Sequence, residues 1–287
     1  MSRPVLVWIL LSLIWGSTWL CIKIGVTDMP PITLVWTRFT VALVPLGILW
    51  VLRGARWPRN RRDNLLIISS GLMTFTVNYS LIYWAELYLS SALAAILYTT
   101  LPIFGQILAH FLVRAEPFSK GKLMGSLLSG LGVILIFYQQ LGPIGDKAPL
   151  AVAGVLFATM CTALSTVLVK RYARDIPSVV LTTGQILTGV LPLICLGLII
   201  EGNPFKAAWT PAALYTVLYL GLMGTALTFG LLNWLMKHME VTRTQLIPFA
   251  STMIAVFLGW IVLGETLDLF TALGSVSILG GLLVATR

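Results

Sequence analysis

The chain has 287 residues, of which 58% are apolar and only 10% charged, with a mean hydropathy of +0.94. Its 19 basic and 10 acidic side chains are too few to coat a soluble globule of this size, because about a quarter of the residues in such a domain are charged. An ordinary soluble enzyme, a disordered chain and a disulfide-stapled secreted domain are excluded, which leaves a multi-span membrane protein.

A helix crosses the hydrocarbon core with about 20 apolar residues. Apolar runs between turn or charge clusters predict ten such helices, at 4–26, 31–52, 64–86, 90–113, 120–139, 148–170, 178–200, 209–236, 241–263 and 269–286. The runs are continuously apolar and far longer than the roughly 10 residues of a barrel strand. The first run follows Arg3 like a leader segment. It is too long for one, lacks an A-x-A cleavage site and recurs later in the chain, so it reads as a retained first helix.

Taken in chain order, several spans carry polar residues that an apolar run does not need. Span 1 has Trp15-Gly16-Ser17-Thr18 at mid-depth. Glycine there lets another helix approach, and the hydroxyls can satisfy a locally opened backbone beside a solute. Span 2 has Arg38, seven residues beyond Pro31, about 10 Å along the helix. With Lys23 and Glu86 on the same predicted outer side it forms an outer-mouth charge cluster; the alternative use of Arg38 or Lys23 is to attract a substrate carboxylate. Span 3 has Asn78, Tyr79, Tyr83 and Trp84, with 79 and 83 on one helical face. Span 4 adds Tyr98 and Thr99 ahead of Pro102, and span 5 a stripe of Gly121, Gly125 and Ser129. That stripe, with Gly274 and Gly281 in span 10, suits either a core within one chain or the face of a homodimer. Span 6 offers Thr162 and Ser165, and span 8 Thr228, Phe229, Asn233 and Trp234.

Loop charges set the orientation. With the N-terminus in the cytoplasm, 15 of the 19 Lys and Arg residues fall on the cytoplasmic side, chiefly in 53–62, 114–122, 170–174 and 237–243. The positive-inside rule then places both termini in the cytoplasm. The net charge of +9 is accounted for by these short clusters, so no nucleic-acid partner is expected. Cys21, Cys161 and Cys195 lie inside apolar runs without a CxxC, and His110 and His238 form no ligand motif, so no metal or cofactor is expected. HExxH, a P-loop and G-x-S-x-G are missing, and no catalytic residue is assigned.

The chain also repeats itself. A shift of 147 lays Lys23 on Lys170 and Arg38 on Gln185; a shift of 150 lays Tyr83-Trp84 on Asn233-Trp234; a shift of 149 lays Gly125 on Gly274 and Gly132 on Gly281. Two units are therefore expected, 1–143 and 144–287. Each has five spans, an odd number, so the second enters the bilayer from the opposite side.

The series Trp15-Gly16-Ser17-Thr18, Lys23, Pro30-Pro31 and Arg38 resembles the opening of the EamA repeat of the drug/metabolite transporter superfamily. Ser91 to Gly132, with Pro102 and Glu116, is similar to that repeat's close, and Thr242 to Gly281, with Pro248 and Glu265, repeats it. Pro102 precedes Glu116 by 14 positions and Pro248 precedes Glu265 by 17, so the two prolines are not equivalent. The resemblance implies an all-α integral membrane protein with ten transmembrane helices as two inverted five-helix repeats, and export or exchange of small metabolites. Within the superfamily the chain resembles the aromatic amino-acid exporters.

The expected function is a secondary transporter in a bacterial cytoplasmic (inner) membrane, exporting small organic solutes such as amino acids by alternating access. Its partners are the small-molecule substrate and the lipid bilayer, as a monomer or homodimer. The substrate-binding set is Trp15, Ser17, Thr18, Asn78, Tyr79, Tyr83, Tyr98, Ser165 and Asn233. Exchange of nucleotide sugars or drug-like cations is the alternative. An intramembrane enzyme and a passive channel are other classes, which a catalytic pair at matching depth and single-channel currents would respectively mark.

Overall fold

The computed structural model describes residues 2–25, 27–86, 88–89, 97–113, 119–137, 147–263 and 269–286. Among them every regular element is a helix. In chain order these are α1 (Arg3–Gly25), α2 (Pro31–Leu52), α3 (Arg61–Gly71), α4 (Asn78–Glu86), α5 (Leu101–Leu112), α6 (Lys120–Phe137), α7 (Ala148–Tyr172), α8 (Ser178–Ile200), α9 (Pro211–Gly221), α10 (Thr228–His238), the single turn α11 (Val241–Thr244), α12 (Ile247–Leu263) and α13 (Leu269–Thr286). Among the described residues, eight helical stretches are long and apolar enough to cross a bilayer, and two shorter apolar helices, Leu101–Leu112 and Leu269–Ala285, fall in the predicted fourth and tenth spans.

Spans 3 and 8 depart from plain helices. A π-helical stretch, Leu72–Val77, joins α3 to α4, and another, Leu222–Leu227, joins α9 to α10. Both ends of the second lie 150 positions after those of the first. A π turn loosens the backbone ladder and frees carbonyls. Here the Leu220 carbonyl accepts from Thr225 Oγ1 at 2.8 Å, and the Gly224 carbonyl accepts from Trp15 Nε1 at 3.3 Å and Thr228 Oγ1 at 2.7 Å. Periodicity of apolar residues does not register such a bulge, because both flanking helices keep the same character. Each bulge follows a glycine seated against another helix. A Cβ on Gly71 would stand 2.5 Å from the Gln185 carbonyl oxygen, and one on Gly221 2.9 Å from that of Arg38.

α2 and α8 run antiparallel. Each starts after a proline, Pro30 or Pro177, and each has an internal proline, Pro45 or Pro192. Glu201, just past α8, receives the first free amides of α2: Ile32 N at 2.8 Å and Thr33 N at 2.7 Å, with Thr33 Oγ1 at 2.8 Å. A carboxylate suits that helix end because the exposed N–H groups carry partial positive charge. Span 3 starts three residues earlier than predicted, at Arg61, because Asn60 caps it by accepting from Asp63 N at 2.7 Å. Predicted span 9 is broken into α11 and α12 just ahead of Pro248, whose ring suits the first turn of a helix better than its interior.

α6 and α13 also pack antiparallel, and the glycine stripe is the seam. A Cβ on Gly125 would lie 2.5 Å from the Gly281 carbonyl oxygen, one on Gly132 2.5 Å from that of Gly274, and the reverse distances are the same. Ser129 Oγ donates to the Ile278 carbonyl at 3.3 Å. The stripe is thus filled within a single chain.

Basic residues gather at one end. Lys122 pairs with Glu240 at 2.7 Å and Arg243 lies 3.1 Å from the same oxygen. Lys170 Nζ donates to the Met239 carbonyl at 2.6 Å, and Lys237 Nζ to those of Arg174 at 2.9 Å and Ile176 at 2.6 Å. Burial works to raise the Glu240 carboxyl, but Lys122, Arg243 and Lys170 outweigh it and hold it below the usual range. His110 is exposed beside Phe111. Glu116 and Glu265 lie outside the described residues.

Candidate aromatic and polar core site

A buried cluster around α2 and α8 contains a run of aromatic rings. Tyr79 meets Phe39 edge-on at 5.1 Å between ring centroids, Phe39 meets Phe75 at 5.0 Å, Phe75 meets Phe229 at 4.7 Å, and Phe229 meets Trp15 at 5.7 Å. Five rings from α1, α2, the first π stretch, α4 and α10 thus form one chain through the interior. Aliphatic side chains of α2 and α8, including Leu46, Ile186 and Leu193, close around it. Edge-on rings at such separations add about 0.5–1.5 kcal/mol each beyond their burial.

A neutral polar network lies on one side of the rings. Asn233 Nδ2 donates to Thr182 Oγ1 and to Gln185 Oε1, both at 2.9 Å, and Gln185 Nε2 donates to Ser70 Oγ at 2.9 Å. Thr74 and Ser165 share a hydroxyl hydrogen bond at 2.8 Å, and Ser165 Oγ also reaches the Ser70 carbonyl at 3.2 Å. Inside an apolar bundle such groups are costly unless partnered, and these are.

On the other side lies Arg38. Its side chain is 6% exposed, and its guanidinium stands 5.0 Å from the Phe39 ring centre and 5.2 Å from that of Tyr79. Its Nε has no hydrogen-bond partner. Asn78, which precedes Tyr79 in the chain, is about as buried and leaves its Oδ1 without a donor. The Tyr98 hydroxyl reaches the side chains of Asn78 and Thr162. Arg38 and Gln185 each sit seven residues into their helices, from opposite ends of the antiparallel pair.

The expected binding residues therefore divide. Trp15 and Tyr79 join the ring chain; Asn78 and Tyr98 meet each other; Ser165 and Asn233 enter the neutral network. Ser17 turns away from all of these to bond Tyr219 Oη at 2.6 Å, and Thr18 bonds the Trp15 carbonyl of its own helix at 2.7 Å. α1 stays helical through Gly16, where a Cβ would lie 2.5 Å from Ile254 Cγ2, so that glycine serves close packing on α12. The side chains of Lys23, Tyr83 and Glu86 lie outside what the structure describes. Sequence reasoning missed Ser70, Thr74, Phe39, Phe75 and Thr182. The hydroxyl residues among them do stand in otherwise apolar runs, which is a signal, but the two phenylalanines are indistinguishable from ordinary core.

The bundle turns apolar side chains such as Val44, Phe111, Ile199 and Val276 outward, and it buries polar groups inside. Together with the long apolar helices, this defines a multi-pass integral membrane protein of the helical-bundle class. The chain matches the EamA-like transporter family twice, over residues 2–138 and 149–287, and belongs to it. It is 27% identical over 287 residues to the uncharacterised transporter YoaV of Bacillus subtilis, covering 100% of this chain and 97% of that one. To the uncharacterised inner membrane transporter YedA of Escherichia coli K12 it is 25% identical over 260 residues, covering 90% and 82%. A crystal structure at 18% identity superimposes with a TM-score of 0.86 over 100% of this chain and 97% of the other, so the fold is shared.

Proposed function

We propose that the chain is a secondary transporter that exports small organic metabolites, amino acids in the first place, across a bacterial cytoplasmic membrane by alternating access. The reading takes residues 1–143 and 144–287 as inverted five-helix repeats, ten spans in all, with both termini in the cytoplasm. It is supported by the double family match, by the π stretches 150 positions apart and by the antiparallel pairing of α2 with α8 and of α6 with α13. Inverted repeats place a binding site near the bilayer midplane and let one half open as the other closes.

The observation that carries the reading is the chain of rings with a buried polar pole on either side. In this conformation Gln185, Asn233 and Ser70 are tied together by hydrogen bonds at one pole, while the pole of Arg38 and Asn78 retains free hydrogen-bonding atoms. A solute that meets the second pole competes for the ring contacts and shifts the balance between the two halves. Exchange of drug-like cations fits less well, because Arg38 puts a positive charge beside the rings. The test is counterflow in proteoliposomes across a panel of amino acids, with and without a pH gradient. Saturable exchange of at least one of them is expected; current through single channels, or no exchange of any, refutes the carrier.

A further inference from the structure

Among the described residues, Arg38 is a buried cation with no acidic partner, and its Nε has no hydrogen-bond acceptor. Of the acidic side chains the structure describes, Asp28 bonds Thr210 Oγ1 at 2.5 Å, Asp63 bonds Asn60, Asp175 is exposed in the loop before α8, Glu201 caps α2 and Glu240 holds Lys122. None of them faces Arg38, and its guanidinium is steadied by two ring faces, Phe39 and Tyr79. Ring faces attract a cation but accept no hydrogen bond of ordinary strength, so the N–H edge stays available. The matched register in the second half, Gln185, shows the contrast: there both amide atoms are used, by Asn233 and Ser70. A neutral side chain satisfied by the protein stands at one register and a charged one with an idle donor at the other.

On the carrier reading given above, we propose that Arg38 is the anchor for a carboxylate on the transported solute. The guanidinium fork matches a carboxylate in two parallel hydrogen bonds, which a ring or an amide cannot supply. The rings of Phe39 and Tyr79 then cover an apolar or aromatic body. Asn78 Oδ1, idle and 5% exposed, accepts from a donor such as an ammonium. The solute class is thus a small organic acid or zwitterion with an apolar body, and the corresponding amine, which brings a second cation to Arg38, is rejected.

The test uses matched trios sharing one body: L-phenylalanine, 3-phenylpropionate and phenethylamine, with the indole and isobutyl equivalents. Thermal shift of the purified protein and competition in counterflow are read for the parent, Arg38→Gln and Arg38→Lys. The carboxylate members of at least one trio should bind and the amines should not. Arg38→Gln should weaken carboxylate binding about tenfold or more, the size of a lost charged hydrogen bond, and Arg38→Lys should fall between. Glutamine is shorter than arginine and brings no new bulk, so the exchange is sterically mild; if it nevertheless does not fold, the Lys variant alone should lose carboxylate affinity. Binding and exchange of the amines overturn the anchor and leave the carrier standing. Carboxylate binding unchanged in a folded Arg38 variant does the same. No binding and no exchange for any member overturns both.

Discussion

Adding one methyl group to the glycine seam is the sharpest perturbation the fold allows. In Gly125→Ala the new Cβ would stand 2.5 Å from the Gly281 carbonyl oxygen and 2.6 Å from both the Ala285 nitrogen and its Cβ. Two of those atoms are backbone, so no rotamer change relieves the clash. Carbon atoms rest at about 3.5–4.0 Å, so α6 and α13 must part by roughly 1 Å. Overpacking of this kind costs about 1–3 kcal/mol. Helix propensity alone acts the other way, favouring alanine by about 1 kcal/mol. Gly280→Ala on the same helix α13 is the control, because its nearest neighbour would be Leu128 Cδ2 at 3.6 Å, an ordinary contact. Tryptophan fluorescence during thermal unfolding in lipid nanodiscs, at one scan rate, should show Gly125→Ala melting below the parent and Gly280→Ala at or above it. If the two variants melt together, the helices are not in contact at this seam and the packing argument fails.

Asn233→Ala leaves the Gln185 carbonyl oxygen and Thr182 without a donor, a loss of about 1–3 kcal/mol, seen as a lower melting point with expression retained. Tyr79→Ala removes a ring contact to Phe39 and one face from Arg38; counterflow should slow while Tyr79→Phe stays near the parent, and equal rates for all three would make the ring dispensable. Glu240 has a lowered carboxyl, so its ion contacts should stabilise the protein above the ordinary glutamate range and fade as pH falls through its lower folded value. The parent should therefore melt above Glu240→Gln near neutrality, with the gap closing in acid; a gap that widens in acid contradicts this. Single cysteines at Asn60 and Asn203 in a background lacking Cys21, Cys161 and Cys195 should react with an impermeant thiol reagent from opposite sides, and labelling of both from one side breaks the topology.

Apolar runs located the eight long apolar helices and the two shorter ones among the described residues, since burial in lipid demands length and little else. The repeat was legible in shifts near 150 between copies, and the structure places π stretches at that spacing. What the runs could not register was local departure from α-geometry, because Leu72 to Val77 are as apolar as their neighbours. Arg38 and Asn233 stood out as polar residues in apolar surroundings, and both are buried. Partners were harder: Gln185 and Ser70 are distant in sequence from Asn233, and only packing of α3 and α10 on α8 brings them together. Ser17 was ambiguous from sequence because a hydroxyl at mid-span serves equally to tie one helix to the next, as it does with Tyr219.

The exchanged glycine notches have a consequence for how such a protein can evolve. Gly71 of the first half rests on the helix bearing Gln185, and Gly221 of the second rests on the helix bearing Arg38. Two identical half-length chains assembled in this way would be obliged to carry the same side chain at both registers, either two cations facing each other across the aromatic layer or two neutral amides with no charge to offer. A single continuous gene lifts that obligation. One register is free to keep a charge while the other becomes a self-satisfied lock, so each half can specialise without spoiling its counterpart.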